Sequence, residues 1–303
     1  MKNGLVYLLY FFFFSACVEK APIINSDDQL DLSRLSGSGS FVYTGYAPFK
    51  EKPITVYFYI PPGANAKTPI LFAFHGTERI GSATRNAFVN LGKNCIVLVP
   101  EFSENAFPGG DAYNLGNVFV DGDNPSAANL NKEEEWTFSV LDPIFEYVKT
   151  SIQSQVLNYD MFGHSAGAQF AQRFLLFKPQ SKIKNAVISA AGWYTMVDSS
   201  LRFPYGIKDS PAQNYSFQAL FSKNVFVIVG ENDNNPNAAD LRRNDIVDLQ
   251  GINRLTRANY FYLQTRNTCL NQGFTYNWKY QIMKNVGHDN LAASAYAASL
   301  LYP

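Results

Sequence analysis

The chain has 303 residues, 47% of them apolar, which is enough to bury one sizeable α/β core. Its 25 basic and 25 acidic residues balance to a formal charge of zero, and no Lys/Arg run with interleaved aromatics appears, so no nucleic acid is expected as a partner. Aromatic residues make up 15% of the chain, a share that serves either core packing or an apolar pocket; composition does not separate those uses.

In chain order, the first feature is a targeting pattern. Lys2 precedes an apolar run from Leu5 to Phe14, which ends in Ser15-Ala16-Cys17. The run falls short of the roughly 20 residues a membrane-spanning helix needs and reads as a signal peptide over residues 1–16. Small residues directly before Cys17 resemble a bacterial lipoprotein box, although Phe14 stands where that box usually has an aliphatic residue. Cys17 is then the expected lipid attachment, and residues 17–40, which close on Ser-Gly-Ser-Gly-Ser, the expected flexible tether. Either this route or ordinary cleavage beside Ala16 exports the chain. The first gives a lipoprotein of the bacterial cell envelope, at the outer membrane; the second gives a soluble periplasmic or secreted protein.

From residue 41 to 303 short β-rich runs alternate with helical segments, the signature of one α/β domain. Strands are expected at 41–46, 54–60, 70–74, 95–99, 159–162, 185–190, 225–229 and 278–283. Asn131 with Glu134 reads as a capping box opening a helix to about residue 152, kinked at Pro143. Further helices are expected at 166–177 and 290–301, and two long connections, 101–131 and 192–223, are expected near the substrate pocket. Cys95 opens an apolar run and is expected, like Cys269, to be a free buried thiol. No metal-ligand spacing is present; Asp121 and Asp123 lack the later ligands of a calcium loop.

The chemistry centres on Gly-His-Ser-Ala-Gly at 163–167, where a strand is followed by a helix. A Gly-x-Ser-x-Gly turn in that context exposes its serine as a nucleophile, here Ser165. The chain has three histidines. His164 adjoins the nucleophile and His75 comes too early for the order Ser, Asp, His, which leaves His288 as general base. The base needs an acid to fix its tautomer. Asp233, just beyond the strand at 225–229, is the first choice, with Asp240, Asp245 and Glu231 as alternatives. Backbone N–H groups of Ala166 and of Thr77, in Phe-His-Gly-Thr, are the expected oxyanion donors. Trp193 and Tyr194 are candidate pocket residues, with core packing as the competing role.

Taken together these motifs resemble α/β-hydrolases related to polyhydroxybutyrate depolymerases and feruloyl-esterase-like enzymes. The matching stretches are Phe-His-Gly-Thr (74–77), Val-Pro-Glu-Phe (99–102), Gly-His-Ser-Ala-Gly-Ala-Gln-Phe (163–170), Gly-Trp-Tyr-Thr-Met (192–196), Phe-Pro-Tyr-Gly (203–206), Gly-Glu-Asn-Asp (230–233) and Val-Gly-His-Asp (286–289). The resemblance implies an α/β-hydrolase fold, a mostly parallel sheet of about eight strands with helices on both faces. It also implies an esterase-like triad of Ser165, Asp233 and His288, and calls for no cofactor. The expected activity is hydrolysis of a small or polymer-borne carboxylic ester through an acyl-enzyme. A peptidase or acyltransferase on the same triad, and a non-catalytic surface binding protein, are the alternatives.

Overall fold

The computed structural model describes residues 36–303 together with a two-residue strand, Ile23–Ile24. The expected signal peptide, Cys17 and most of the expected tether lie outside the described residues. Among the described residues nine strands form one sheet: β1 (Ile23–Ile24), β2 (Gly37–Tyr43), β3 (Ile54–Ile60), β4 (Ile70–Phe74), β5 (Ile96–Glu101), β6 (Tyr159–His164), β7 (Ile183–Ser189), β8 (Asn224–Gly230) and β9 (Lys279–Met283). Their order is β1-β2-β3-β5-β4-β6-β7-β8-β9. Strands β5 to β9 in that order run parallel, while β3 pairs antiparallel with both β2 and β5.

Eight α-helices among the described residues accompany the sheet: α1 (Gly81–Asn86), α2 (Gly109–Ala112), α3 (Leu141–Ser151), α4 (Ala166–Phe177), α5 (Gln218–Ser222), α6 (Asp245–Asp248), α7 (Arg254–Asn271) and α8 (Asn290–Leu301). Successive strand residues point to opposite faces, so β4, buried at all five positions, feeds two cores. Ile70, Phe72 and Phe74 join the residues of α3, α4 and α7 on one face. Leu71 and Ala73 join Phe88, just past α1, and Ala293, Ala297 and Ala298 of α8 on the other. Both faces are thus covered, which is the layered arrangement expected from the alternating pattern.

Three local expectations differ from the structure. Residues 37–40, assigned to the tether, are the first half of β2 and pair with β3 from Gly37 opposite Ile60 to Ser40 opposite Tyr57. The glycine there packs rather than flexes: a Cβ on Gly39 would lie 2.3 Å from the ring of Phe58, so its bare backbone is the seat for that ring. Residues 133–140 form two 3-10 turns, and the α-helix begins only at Leu141. Pro143 is therefore in the first turn, where a missing N–H has no intrahelical acceptor, and it needs no kink. Finally, α7, at 18 residues the longest helix among those described, has no counterpart in the expected elements. Its buried face carries Arg254, Arg257, Thr265 and Cys269 beside Ala258 and Phe261, and this polar content hides the apolar period.

Candidate active site

β6 runs straight into α4 with a single residue between them, and that residue is Ser165. Its backbone sits at φ 55° and ψ −118°, a region that a Cβ makes costly and that persists only where the surroundings impose it. Two glycines make the turn sterically open. A Cβ on Gly167 would lie 2.2 Å from the Phe74 carbonyl oxygen, and one on Gly163 would lie 2.1 Å from the carbonyl oxygen of Gly167. The Ser165 N–H donates to the Ser189 carbonyl at 3.0 Å, fastening the turn to β7. Ala166 is the first helical residue, so its N–H has no carbonyl one turn earlier and adds to the positive end of the α4 dipole.

His288 follows β9 and lies before α8. Its Nδ1 is 2.7 Å from Asp233 Oδ2, which places the proton on Nδ1 and leaves Nε2 as the free acceptor. Asp233 is buried, just past the end of β8. The two loops are tied together by backbone: Glu231 N–H donates to Met283 and Asn232 N–H to Val286. Of the other carboxylates considered for this role, Asp245 opens α6 and the remaining two are engaged elsewhere. Glu231 pairs with Lys284, and Asp240 pairs with Arg254 at 2.7 Å. Asp289 points away from the base and caps α8, accepting from Leu291 and Ala292.

Neither of the remaining histidines is placed to act as a base. The His75 Nε2 accepts from the Phe102 N–H at 3.0 Å, and Nδ1 lies 3.1 Å from the Gly76 carbonyl. Burial pushes its pKa down to about 3. Tyr113 stacks on its ring at 4.6 Å, donates its hydroxyl to the His75 carbonyl, and is in turn covered by Arg79. His75 is thus a neutral post beneath the loop that carries Thr77. His164 is buried with Nδ1 3.1 Å from Ser189 Oγ, and its ring lies 4.5 Å from that of His288. Burial first, and then the neighbouring His288 and Arg254, hold it well below the ordinary histidine value. This packing against the base was not foreseen; in sequence only adjacency to Ser165 marks it.

Ser165, His288 and Thr77 line one cavity of about 270 Å³, with Gly76, Glu78, Ile80, Ala83, Thr84, His164, Asp240 and Asn290. A larger cavity of about 530 Å³ opens at the C-terminal end of α4, around Lys178 and Tyr215, a helix length from Ser165 and without a nucleophile–base pair; chemistry selects the smaller one. The expected pocket residues Trp193 and Tyr194 are not in the site cavity. Tyr194 is fully buried and stacks on Phe261 of α7 at 4.2 Å, while Trp193 is buried between Arg173 and Arg242. The large apolar area of these rings is better buried between two layers than held at a rim. Neither long connection, 101–131 or 192–223, contributes a residue to this cavity.

A sheet of this order, with a strained serine between strand and helix and a histidine–aspartate pair beyond the last two strands, defines the class: an α/β-hydrolase. Among solved structures, the chain aligns with poly(aspartic acid) hydrolase-1 from Sphingomonas sp. KT-1 at 34% identity, covering 88% of this chain and 98% of that one, with a TM-score of 0.81. LpqC, a poly(3-hydroxybutyrate) depolymerase from Bordetella parapertussis, aligns at 24% identity over 89% and 92% of the two chains with a TM-score of 0.80. The siderophore hydrolase EstA from Aspergillus nidulans shares the fold at 12% identity, with 88% and 94% covered and a TM-score of 0.53. No protein-family profile and no curated protein sequence matches the chain. The chain belongs to the α/β-hydrolase esterase group, in the family of poly(aspartic acid) hydrolase-1.

Proposed function

We propose that the chain is a serine carboxylic-ester hydrolase with Ser165, His288 and Asp233 as its triad. The observation that carries this reading is that a strained Ser165 and a His288 held by Asp233 at 2.7 Å line the same cavity. Ser165 Oγ attacks the ester carbonyl while His288 Nε2 takes its proton. The oxyanion is held by the N–H groups of Ala166 and Thr77. The tetrahedral intermediate collapses, His288 gives the proton to the leaving alcohol, and the acyl group stays on Ser165. Water, deprotonated by His288, then attacks that acyl-enzyme and releases the acid.

A second reading, amide hydrolysis on the same triad, is favoured by one observation: the relative at 34% identity is a poly(aspartic acid) hydrolase, and poly(aspartic acid) is joined by amide bonds. Against an acidic polymer stands the cavity itself, where Glu78 and Asp240 both present carboxylates and only Asp240 has an arginine partner among the described residues. Neutral short-chain esters fit that wall better. The deciding experiment compares p-nitrophenyl esters with matched anilides and with poly(aspartic acid), in wild type and Ser165→Ala. Ester turnover lost in Ser165→Ala supports the first reading. Turnover of none of these substrates contradicts both and leaves a binding role for the fold.

Export belongs to the same proposal. Lys2, the apolar run after it and Cys17 support a signal peptide over residues 1–16 and a lipid anchor on Cys17, placing the enzyme at the cell envelope. Incorporation of labelled palmitate that disappears in Cys17→Ala is the expected result; unlabelled soluble protein would indicate simple secretion.

A further inference from the structure

The mechanism uses Asp233 to hold His288, but Asp233 has a second neighbour that no step has used. Arg254 is the first residue of α7 and its side chain is 3% exposed. Its Nη1 lies 3.7 Å from Asp233 Oδ1, the oxygen turned away from His288, and its Nη2 lies 2.7 Å from Asp240 Oδ2. The backbone repeats the link, since Leu255 N–H, in the first turn of α7, donates to the Asp233 carbonyl at 3.0 Å. The N-terminal end of an 18-residue helix therefore abuts the catalytic acid, and its partial positive charge adds to that of the guanidinium.

We propose that Arg254 is a positioning residue for this hydrolase: it fixes Asp233 against His288 and ties the triad to Asp240 in the cavity wall. The inference rests on the triad reading above. Arg254 touches neither Ser165 nor the cavity. It acts by giving the outer oxygen of Asp233 a buried cationic neighbour, so that the inner oxygen stays directed at Nδ1. Asp240 completes the arrangement. Burial opposes its charge, but the hydrogen bond and charge of Arg254, with His288, outweigh burial and set its pKa below the ordinary carboxylate value. The other groups near the Asp233–His288 pair are His164, held neutral, and the buried phenol of Tyr194; Glu78 lines the same cavity as His288.

The chain has three histidines, so the downfield proton resonance of the His288 Nδ1–H, assigned with ¹⁵N-histidine, reads the Asp233–His288 hydrogen bond without reference to activity. Arg254→Met leaves the outer oxygen of Asp233 without its cation, so that resonance should weaken or move upfield, and kcat on a neutral ester should fall about tenfold with KM little changed. Arg254→Lys should restore the resonance, and Arg254→Gln carries the same test if Arg254→Met does not fold. A folded Arg254→Met or Arg254→Gln with an unchanged Nδ1–H resonance overturns the proposal and leaves Arg254 a helix-end packing residue. Ser165→Ala run alongside separates the two levels. Ester turnover surviving in it would overturn the triad reading itself, whereas its loss with an unchanged resonance in the Arg254 variants would overturn only the role of Arg254.

Discussion

Ser165 and Asp233 serve one cavity but are positioned by different means. Ser165 is fixed within its own stretch of chain: two glycines open the backbone, β6 and α4 meet with no residue to spare, and one hydrogen bond to Ser189 holds the turn. Asp233 sits on an irregular loop and is fixed from outside, by His288 beyond β9 and by Arg254 and Leu255 at the start of α7. Ser165, the proposed nucleophile, is placed by local strain, and Asp233, the proposed acid, by long-range bonding. Strain held within a few residues is a covalent and steric property of those residues, while a network depends on every element that contributes to it.

The widest break in that comparison comes from the nucleophile. Ser165→Ala should lower kcat on an activated ester by on the order of 10⁶-fold while leaving the fold intact, measured by steady-state kinetics beside circular dichroism. Asp233→Asn should cost less, about 10⁴-fold, because His288 is then presented in the wrong tautomer although all atoms stay close to their places. A loss as large as that of Ser165→Ala would mean that Asp233 does more than orient the base.

Gly167→Ala probes the strained side alone. Its Cβ would sit 2.2 Å from the Phe74 oxygen, backbone that cannot swing aside. The variant should lose about 1–3 kcal/mol in denaturant unfolding, together with activity. Wild-type stability and turnover in that variant would show that the elbow has slack the geometry denies.

Acid acts on the Ser165 side through two buried histidines. His75 and His164, on the nucleophile side, are buried and neutral when folded, with the His75 pKa at about 3 against an ordinary 6.5. Between those values the unfolded chain binds more protons than the folded one. Stability is therefore fully present above pH 6.5 and is lost as pH falls toward 3, with a slope of up to about 1.4 kcal/mol per pH unit for each histidine. Thermal unfolding followed from pH 7 to 4 should show this decline, and His75→Gln, if folded, should flatten it. The smallest effect concerns the thiols. Cys95 is buried with its pKa pushed up to about 12, and Cys269 is buried as well, so neither should react with a thiol reagent until the chain unfolds.

The same contrast explains what was legible in the sequence. The spans of β3, β4, α4 and α8 matched the expected boundaries because each is set by its own residues: alternation in β3, a fully apolar run in β4, the elbow before α4 and the Asp289 cap before α8. The strained turn at Ser165 and the contact between His288 and Asp233 were open to the same reasoning, through a motif with a steric cause and an order along the chain. What escaped was held by distant partners. α7 hides its amphipathic period behind buried arginines that only tertiary partners can satisfy: Arg257 donates to Gly192 and Gly251 and pairs with Asp248. Gly39 read as tether because its partner, the Phe58 ring, arrives from the next strand. Trp193 and Tyr194 stayed open between pocket and core because nothing nearby in sequence shows the α7 surface that covers Tyr194 or the two arginines that enclose Trp193.

The most direct test of the account is covalent. Wild-type protein treated with a fluorophosphonate, digested and mapped by mass spectrometry should carry one adduct, on the peptide containing Ser165. That adduct should vanish in Ser165→Ala and form far more slowly in His288→Ala. Unmodified wild type, or an adduct on another serine that persists in Ser165→Ala, would contradict the assignment of Ser165, His288 and Asp233 as a working triad.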